Sequence, residues 1–328
     1  MSCIVMVFIV GLMFPVTHSL SSLFIYPQYN GTYIEAGTGE NGQGREVNGF
    51  LSGLRDIPTI FFYSICWIVV HAIVQEYGLD KIQKKAHLSK VSAFKFGESF
   101  HQVFFTAYSL GHAFFLISEH PEAFSDIKKI WLGYPDEHRV MSASYKLFFI
   151  FQLSYWIHQF PEFYLQKLKR DEVRQKTAQS IIHIVFIVVA YFLNFTRAGL
   201  ALLILEYTTQ LVFHIARLTR FLGRKEISAT LFKVYNFIFV LARIGSVIIT
   251  VMTFWYGLRQ VESPLNVLLG VLLLQLYLFY SFASFHMSRF REINAKKEKK
   301  KNISAATGVP VPKKEKRRES ETDSKKKN

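Results

Sequence analysis

YFLNFTRAGLALLILEYTTQLVFHIARL, residues 191–218, holds the end of one apolar stretch, a tight turn at Phe195–Gly199 and a second apolar stretch over 198–217. That second stretch reaches the roughly 20 residues that a helix rising about 1.5 Å per residue needs to cross a hydrocarbon core about 30 Å thick. Its interior is not uniformly apolar. Glu206, Gln210 and His214 recur every four residues and Arg217 follows three later, which stacks four polar groups on one helical face. An ionisable group at the middle of a membrane helix costs at least about 2.5–3.5 kcal/mol, so this face must look at protein and not at lipid. One such helix requires neighbours.

The neighbours are present along the whole chain of 328 residues. Eight apolar stretches, at about 4–24, 57–77, 101–119, 145–165, 180–195, 198–217, 231–256 and 265–286, predict an all-α polytopic membrane bundle of about eight transmembrane helices. The first stretch has no Lys or Arg before it, as a signal peptide would, and reads as an uncleaved span. Both cysteines, Cys3 and Cys66, fall inside apolar stretches, so no disulfide framework is implied.

The loops between the stretches alternate in charge. One set, comprising 78–100, 166–179, 217–230 and the tail after 288, carries 29 Lys and Arg; the other, 25–56, 120–144, 196–198 and 257–264, carries 7. The positive-inside rule puts the first set in the cytosol, together with both termini, and loop 25–56 in the lumen. The formal net charge of +15 therefore belongs to a membrane protein and does not imply DNA binding, since most of it sits in the tail. Residues 291–328 lack the apolar content to bury a core and read as a disordered basic segment, a positive-inside anchor or a contact for anionic lipid or ribosomal RNA. The organisation expected is two N-terminal spans with the luminal loop over 1–95, six spans over 96–290 and the tail over 291–328.

Polar residues inside the spans form further groups. On the stretch 231–256, Asn236, Arg243, Ser246 and Thr250 draw a single stripe, and the depths of Glu206 and Arg243 allow them to pair between adjacent spans. The alternative is that Arg243 faces a watery cavity and Glu206 is protonated or bonded to hydroxyls. His71, His158, Glu162, His183 and His214 gather toward the cytosolic half from four stretches. Without an HExxH spacing on one helix they read as a hydrogen-bonded network or polar cavity, with no metal or cofactor implied. No Gly-rich phosphate loop, GxSxG elbow or CxxC occurs, and the glycine run at 37–44 reads as flexible loop.

Three segments carry a resemblance: QLSYWIHQFPEFYLQKLKRDEV (152–173), VQEYGLDKIQKKAHLSKVSAFKF (74–96) and the opening stretch 191–218. They resemble the translocating chain-associated membrane proteins, and the likeness runs from the first span to the tail, including the sequon at Asn30. That family belongs with the ceramide synthases among the TLC-domain proteins. The resemblance implies a protein of the endoplasmic reticulum membrane that assists translocation or insertion of nascent chains. Its implied partners are the Sec translocon channel, nascent signal sequences and transmembrane segments, membrane lipids, and the ribosome through the basic tail. The alternative is a lipid sensor or carrier or, further off, a ceramide-synthase-like acyltransferase. In those enzymes a His-His pair and two Asp residues serve acyl transfer, and the matching positions here read Ile182-His183, Tyr207 and Gln210. One His remains and both carboxylates are missing, so the chain lacks the acid/base pair and is read as no enzyme.

Address signals fit the same orientation. Lys325 and Lys326 stand fourth and third from the carboxyl end, the dilysine pattern for retrieval to the endoplasmic reticulum. Of three sequons, Asn30-Gly31-Thr32 falls in the luminal loop, Asn194-Phe195-Thr196 at the membrane edge and Asn302-Ile303-Ser304 in the cytosol. We expect one N-glycan, at Asn30: Asn30→Gln should abolish the glycosidase-sensitive mobility shift, and a glycan surviving that substitution would refute the topology.

Overall fold

The computed structural model describes residues 2–35, 45–165, 170–258 and 264–307. Its helices are α1 (Ser2–Gly11), α2 (Pro15–Ile25), α3 (Ile57–Ile73), α4 (Asp80–Lys85), α5 (Lys90–Glu119), α6 (Pro121–Phe124), α7 (Asp136–Arg139), α8 (Ala143–Leu165), α9 (Arg170–Phe192), α10 (Thr196–Phe221), α11 (Lys225–Val251) and α12 (Pro264–Thr307). One antiparallel hairpin joins β1 (Asn30–Glu35) to β2 (Arg45–Phe50), with Asn30 opposite Phe50. The chain divides into two compact units, residues 1–272 and 273–328. Lys325, Lys326 and the glycine run at 37–44 lie outside the described residues.

The chain is an all-α polytopic membrane protein. Among the described residues, five helical runs are long and apolar enough to cross a membrane: Leu54–Lys85, Val173–Phe192, Thr196–Phe221, Lys225–Gly257 and Leu265–Ser288. The first passes from α3 through a π-helical turn, Val74–Leu79, into α4. Starts and turns follow local chemistry. Pro58 sits in the first turn of α3, where its missing N–H costs nothing, and Ser89 caps α5 by accepting from the Ser92 N–H at 3.3 Å. The α9–α10 turn is tight enough that a Cβ on Gly199 would stand 2.7 Å from the Ala190 Cβ.

Two further expected spans, α5 and α8, are long enough at 30 and 23 residues but are not among the five. For α8 the reason is a less apolar composition, which its position permits. It packs against α3, α5 and α9. Phe148, Phe149, Ile150, Tyr155 and Trp156 are all 1% exposed or less, and so are Lys146, Gln152, Ser154 and His158. A helix enclosed by protein can carry polar groups that lipid would reject, provided each finds a partner. Gln152 and Ser109 bond at 3.0 Å, and the Ser154 hydroxyl donates to the Ile60 carbonyl at 2.9 Å. Tyr155 lies flat on Phe105 of α5, with Trp67 edge-on at 5.3 Å.

The first apolar stretch departs from expectation. It is two short helices, and neither α1 nor α2 alone spans a bilayer at about 1.5 Å per residue. The Phe8 and Phe24 rings stand 4.5 Å apart, whereas 16 positions along one straight helix are about 24 Å apart, so α1 folds back on α2. Gly11 permits the close approach, because a Cβ there would collide with the Ser21 side chain, and Pro15 starts α2.

Loops that the charge pattern grouped together also meet in space. Phe50 bridges to Met141, Tyr134 donates to the Leu193 carbonyl at 2.8 Å, and Arg197 donates to the Lys129 carbonyl at 2.9 Å. His138 of α7 lies in this layer, and its Nε2–H donates to the Leu132 carbonyl at 3.0 Å. Burial first, and the Arg197 guanidinium second, push its imidazole down to about 4, so it stays neutral. Among the basic loops, Glu98 lies 3.5 Å from Lys176 and 3.8 Å from Arg217.

The layer of less basic loops is fastened to the bundle by a buried ion pair that the sequence reading did not foresee. Lys146 Nζ lies 2.8 Å from Asp56 Oδ1, both side chains are 0% exposed, and the ammonium also donates to the carbonyls of Gln28 at 2.7 Å and Leu51 at 2.6 Å. Asp56 Oδ2 accepts from the Gly53 N–H at 3.0 Å and the Tyr191 hydroxyl at 2.8 Å. Removing one partner strands a charge, at a cost of about 3–5 kcal/mol. Lys146→Met should therefore sharply lower the thermal midpoint of the detergent-purified protein, while Asp56→Asn combined with Lys146→Met should recover most of it; a single variant as stable as wild type would contradict the pair's role.

Candidate functional site

Polar side chains expected inside the spans fall into two separate constellations. The first joins α11, α10, α9 and α8. Arg243 Nη2 stands 2.5 Å from Glu206 Oε2, and the Gln210 amide donates to Glu206 Oε1 at 2.8 Å. The step of four residues along α10 sets Glu206 under Gln210. The other Gln210 amide hydrogen points at His183 Nε2, 3.3 Å away. His183 Nδ1 donates to the Gln179 carbonyl of its own helix at 2.8 Å, which leaves Nε2 as the acceptor. The His183 ring lies on the Trp156 indole with centroids 3.8 Å apart, and the Arg243 guanidinium sits over Phe239 at 5.1 Å.

This network does not include the whole expected face of α10. His214 is buried and packs edge-on against Phe213; its Nδ1 has no hydrogen-bond partner among the described residues. Arg217 turns instead to Glu98. At the two positions that the resemblance matches to ceramide-synthase carboxylates, Tyr207 is 1% exposed, accepts from the Trp156 N–H at 3.4 Å and packs on Phe105, while Gln210 belongs to the network above.

The pair differs from Asp56–Lys146 in being open on one side. Arg243 is 5% exposed but the Glu206 side chain is 22% exposed. Val240 and Val247, within about 60° of Arg243 round α11, are more than a third exposed, and Ile244 beside them is half exposed. A charged group thus lies at the edge of an apolar helix surface, which suits contact with a second apolar segment that carries a polar group.

The second constellation joins α3, α5 and α8. His71 Nδ1 lies 2.9 Å from Glu162 Oε2, and His158 Nε2 lies 3.3 Å from the same oxygen. His101 of α5, which sequence reasoning did not single out, packs its ring 4.1 Å from that of His71. Its position was unreadable because only the approach of α5 to α3 brings the two rings together. The step from His158 to Glu162 was readable, since i and i+4 on one helix share a face.

Asn30 and Thr32 are both exposed at the start of β1, whereas at the second sequon Thr196 is buried and Asn194 lies 3.5 Å from the Ser52 hydroxyl.

Comparison with known proteins places these features. A family model described as TLC domain matches residues 95–285. Translocating chain-associated membrane protein 2 of Mus musculus is 35% identical over 323 residues, covering 94% of this chain and 84% of that protein. The Homo sapiens protein of the same name is 33% identical over the same coverage.

Glu206 and Arg243 form a testable unit. Arg243→Leu should destabilise the detergent-purified protein more than Glu206→Gln and Arg243→Leu together, with a coupling of about 0.5–3 kcal/mol in a double-mutant cycle. Strictly additive losses would show that the contact contributes nothing.

Proposed function

The chain belongs to the translocating chain-associated membrane protein family, in the TLC-domain superfamily, and from that premise we propose that it is a non-enzymatic protein of the endoplasmic reticulum membrane that stands beside the Sec channel. There it assists nascent secretory and membrane proteins as their signal sequences and transmembrane segments pass sideways into lipid. Membrane lipids surround the contact, and the basic tail offers a further one to the ribosome. The observation that carries the mechanism is the half-open Glu206–Arg243 pair beside the exposed apolar surface of α11.

The physical reason is the cost of polar groups in lipid. A nascent helix with one charge or amide faces a penalty of a few kcal/mol in bare hydrocarbon. Against α10 and α11 its apolar residues meet Val240, Val247 and Ile244, on the side of α11 that carries Arg243, while its polar group reaches Glu206. Interhelical contacts of this kind contribute about 0.6–2 kcal/mol in membranes. That is enough to decide the fate of a marginal segment and too little to matter for a strongly apolar one.

Acyl transfer fits the residues less well. A buried aromatic, Tyr207, stands where a carboxylate is needed, and the remaining His183 is committed to Gln179, Gln210 and the Trp156 ring.

The test is insertion into proteoliposomes containing the Sec channel with or without this protein, using segments graded in hydrophobicity. A contact worth about 1 kcal/mol should raise insertion of weakly apolar, singly charged segments roughly fivefold and leave strongly apolar ones unchanged. Equal effects on both classes would overturn the proposal.

A further inference from the structure

The constellation of His71, His158 and Glu162 plays no part in the proposed client contact. Its three ligand atoms form a triangle: His71 Nδ1 to Glu162 Oε2 is 2.9 Å, His158 Nε2 to Glu162 Oε2 is 3.3 Å, and His158 Nε2 to His71 Nδ1 is 3.4 Å. Around a tetrahedral zinc ion, bonds of about 2.0–2.2 Å to nitrogen and oxygen put ligand atoms about 3.3–3.6 Å apart. Two of the three edges already have that length. The third would open slightly around an ion.

Counting hydrogens sharpens the point. His158 Nδ1 is in close contact with the Tyr155 carbonyl of its own helix, so Nδ1 carries the hydrogen and Nε2 presents a lone pair to the triangle. An ionised Glu162 only accepts. The hydrogen on His71 Nδ1 serves the 2.9 Å contact, and His158 Nε2 then faces the same carboxylate oxygen with no hydrogen between them. A proton shared between His158 and Glu162 would draw the two together to about 2.7–2.9 Å. The observed 3.3 Å suits two ligands of a common ion.

We propose that His71, His158 and Glu162 bind a divalent metal ion of the zinc type, with the fourth position open. Two imidazoles and one carboxylate match the donor set of open zinc sites. The bond from His158 Nδ1 to a backbone carbonyl is the outer-shell contact that metal-bound histidines usually make, and it aims the ring. His71 is 7% exposed and His158 0%, while the Glu162 side chain, at 18%, gives the site its approach to the outside. The ion would tie α3 to α8 and add a contact stronger than the hydrogen bonds it replaces.

The experiment uses the full chain purified in detergent without a polyhistidine tag. Elemental analysis should find about one zinc per chain, and His71→Ala and His158→Ala should each reduce this at least about tenfold, as loss of a ligand from a three-ligand site demands. His18→Ala, at an exposed histidine outside the triangle, should keep the metal. Because a variant can fail to fold, wild-type protein is also stripped with chelator and titrated with Zn(II) and Co(II). Binding raises the thermal midpoint with metal concentration, and Co(II) gives the visible absorption of tetrahedral coordination. Native protein without metal, whose stripped form shows no shift with either ion, would overturn the proposal and leave a proton-bridged cluster. Retention of zinc in the His71→Ala, His158→Ala double variant would also overturn it.

Discussion

A charge pair with no access to water constrains this molecule more than any other contact. Asp56 and Lys146 are both 0% exposed at the ends of α3 and α8. Each ion leaves water at a cost of several kcal/mol, which their attraction offsets only if the remaining hydrogen-bonding capacity is also met. Here it is met from four directions: the carbonyls of Gln28 and Leu51, the N–H of Gly53 and the hydroxyl of Tyr191. Satisfying the pair thus fixes the segment before α3, the start of α3 itself, α8 and the end of α9 at once. The hairpin of β1 and β2 is held in place by the same contacts, because Gln28 precedes β1 and Leu51 follows β2.

The pair also sets the register between α3 and α8. From Asp56 to His71 is 15 residues and from Lys146 to His158 is 12, or about 22 and 18 Å along each helix. The two helices therefore meet polar-to-polar twice, with Ser154 bonded to Ile60 between. Aromatic packing of Trp67, Phe105 and Tyr155 excludes water from the interval. A slip of one residue in either helix would rotate it by about 100° and unpair both ends.

Much of this was legible in the sequence, and the illegible parts share one physical cause. Long stretches with few charges identify themselves by length and apolarity, as Thr196–Phe221 and Lys225–Gly257 do. Glu206 and Arg243 could be compared by depth because both lie on such stretches. Residues whose partners are distant in sequence gave no signal: Lys146 looked like the edge of a span, Asp56 like a loop residue and His101 like one more polar position on α5. The first stretch misled because a window of apolar residues reads the same whether straight or folded. The bend between Gly11 and Pro15 is decided by two residues, and by a close approach to Ser21 that only the folded hairpin contains.

Burial divides the ionic contacts by what they can do. A pair closed on all sides, such as Asp56–Lys146, cannot change partners without breaking the fold, because any new partner must first displace packed atoms. Glu206 is different: its guanidinium partner is buried at 5% while the Glu206 side chain remains at 22%, so part of that side chain is reachable from outside the bundle. Arg243 holds the charge on Glu206 in place, and Gln210 and His183 orient it from behind. An approaching group therefore meets a carboxylate whose desolvation has already been offset by its own protein. Such pre-organisation lets a membrane protein offer a polar contact at an apolar surface, and it explains why the polar residues of α10 are distributed between a fixed rear and an accessible front.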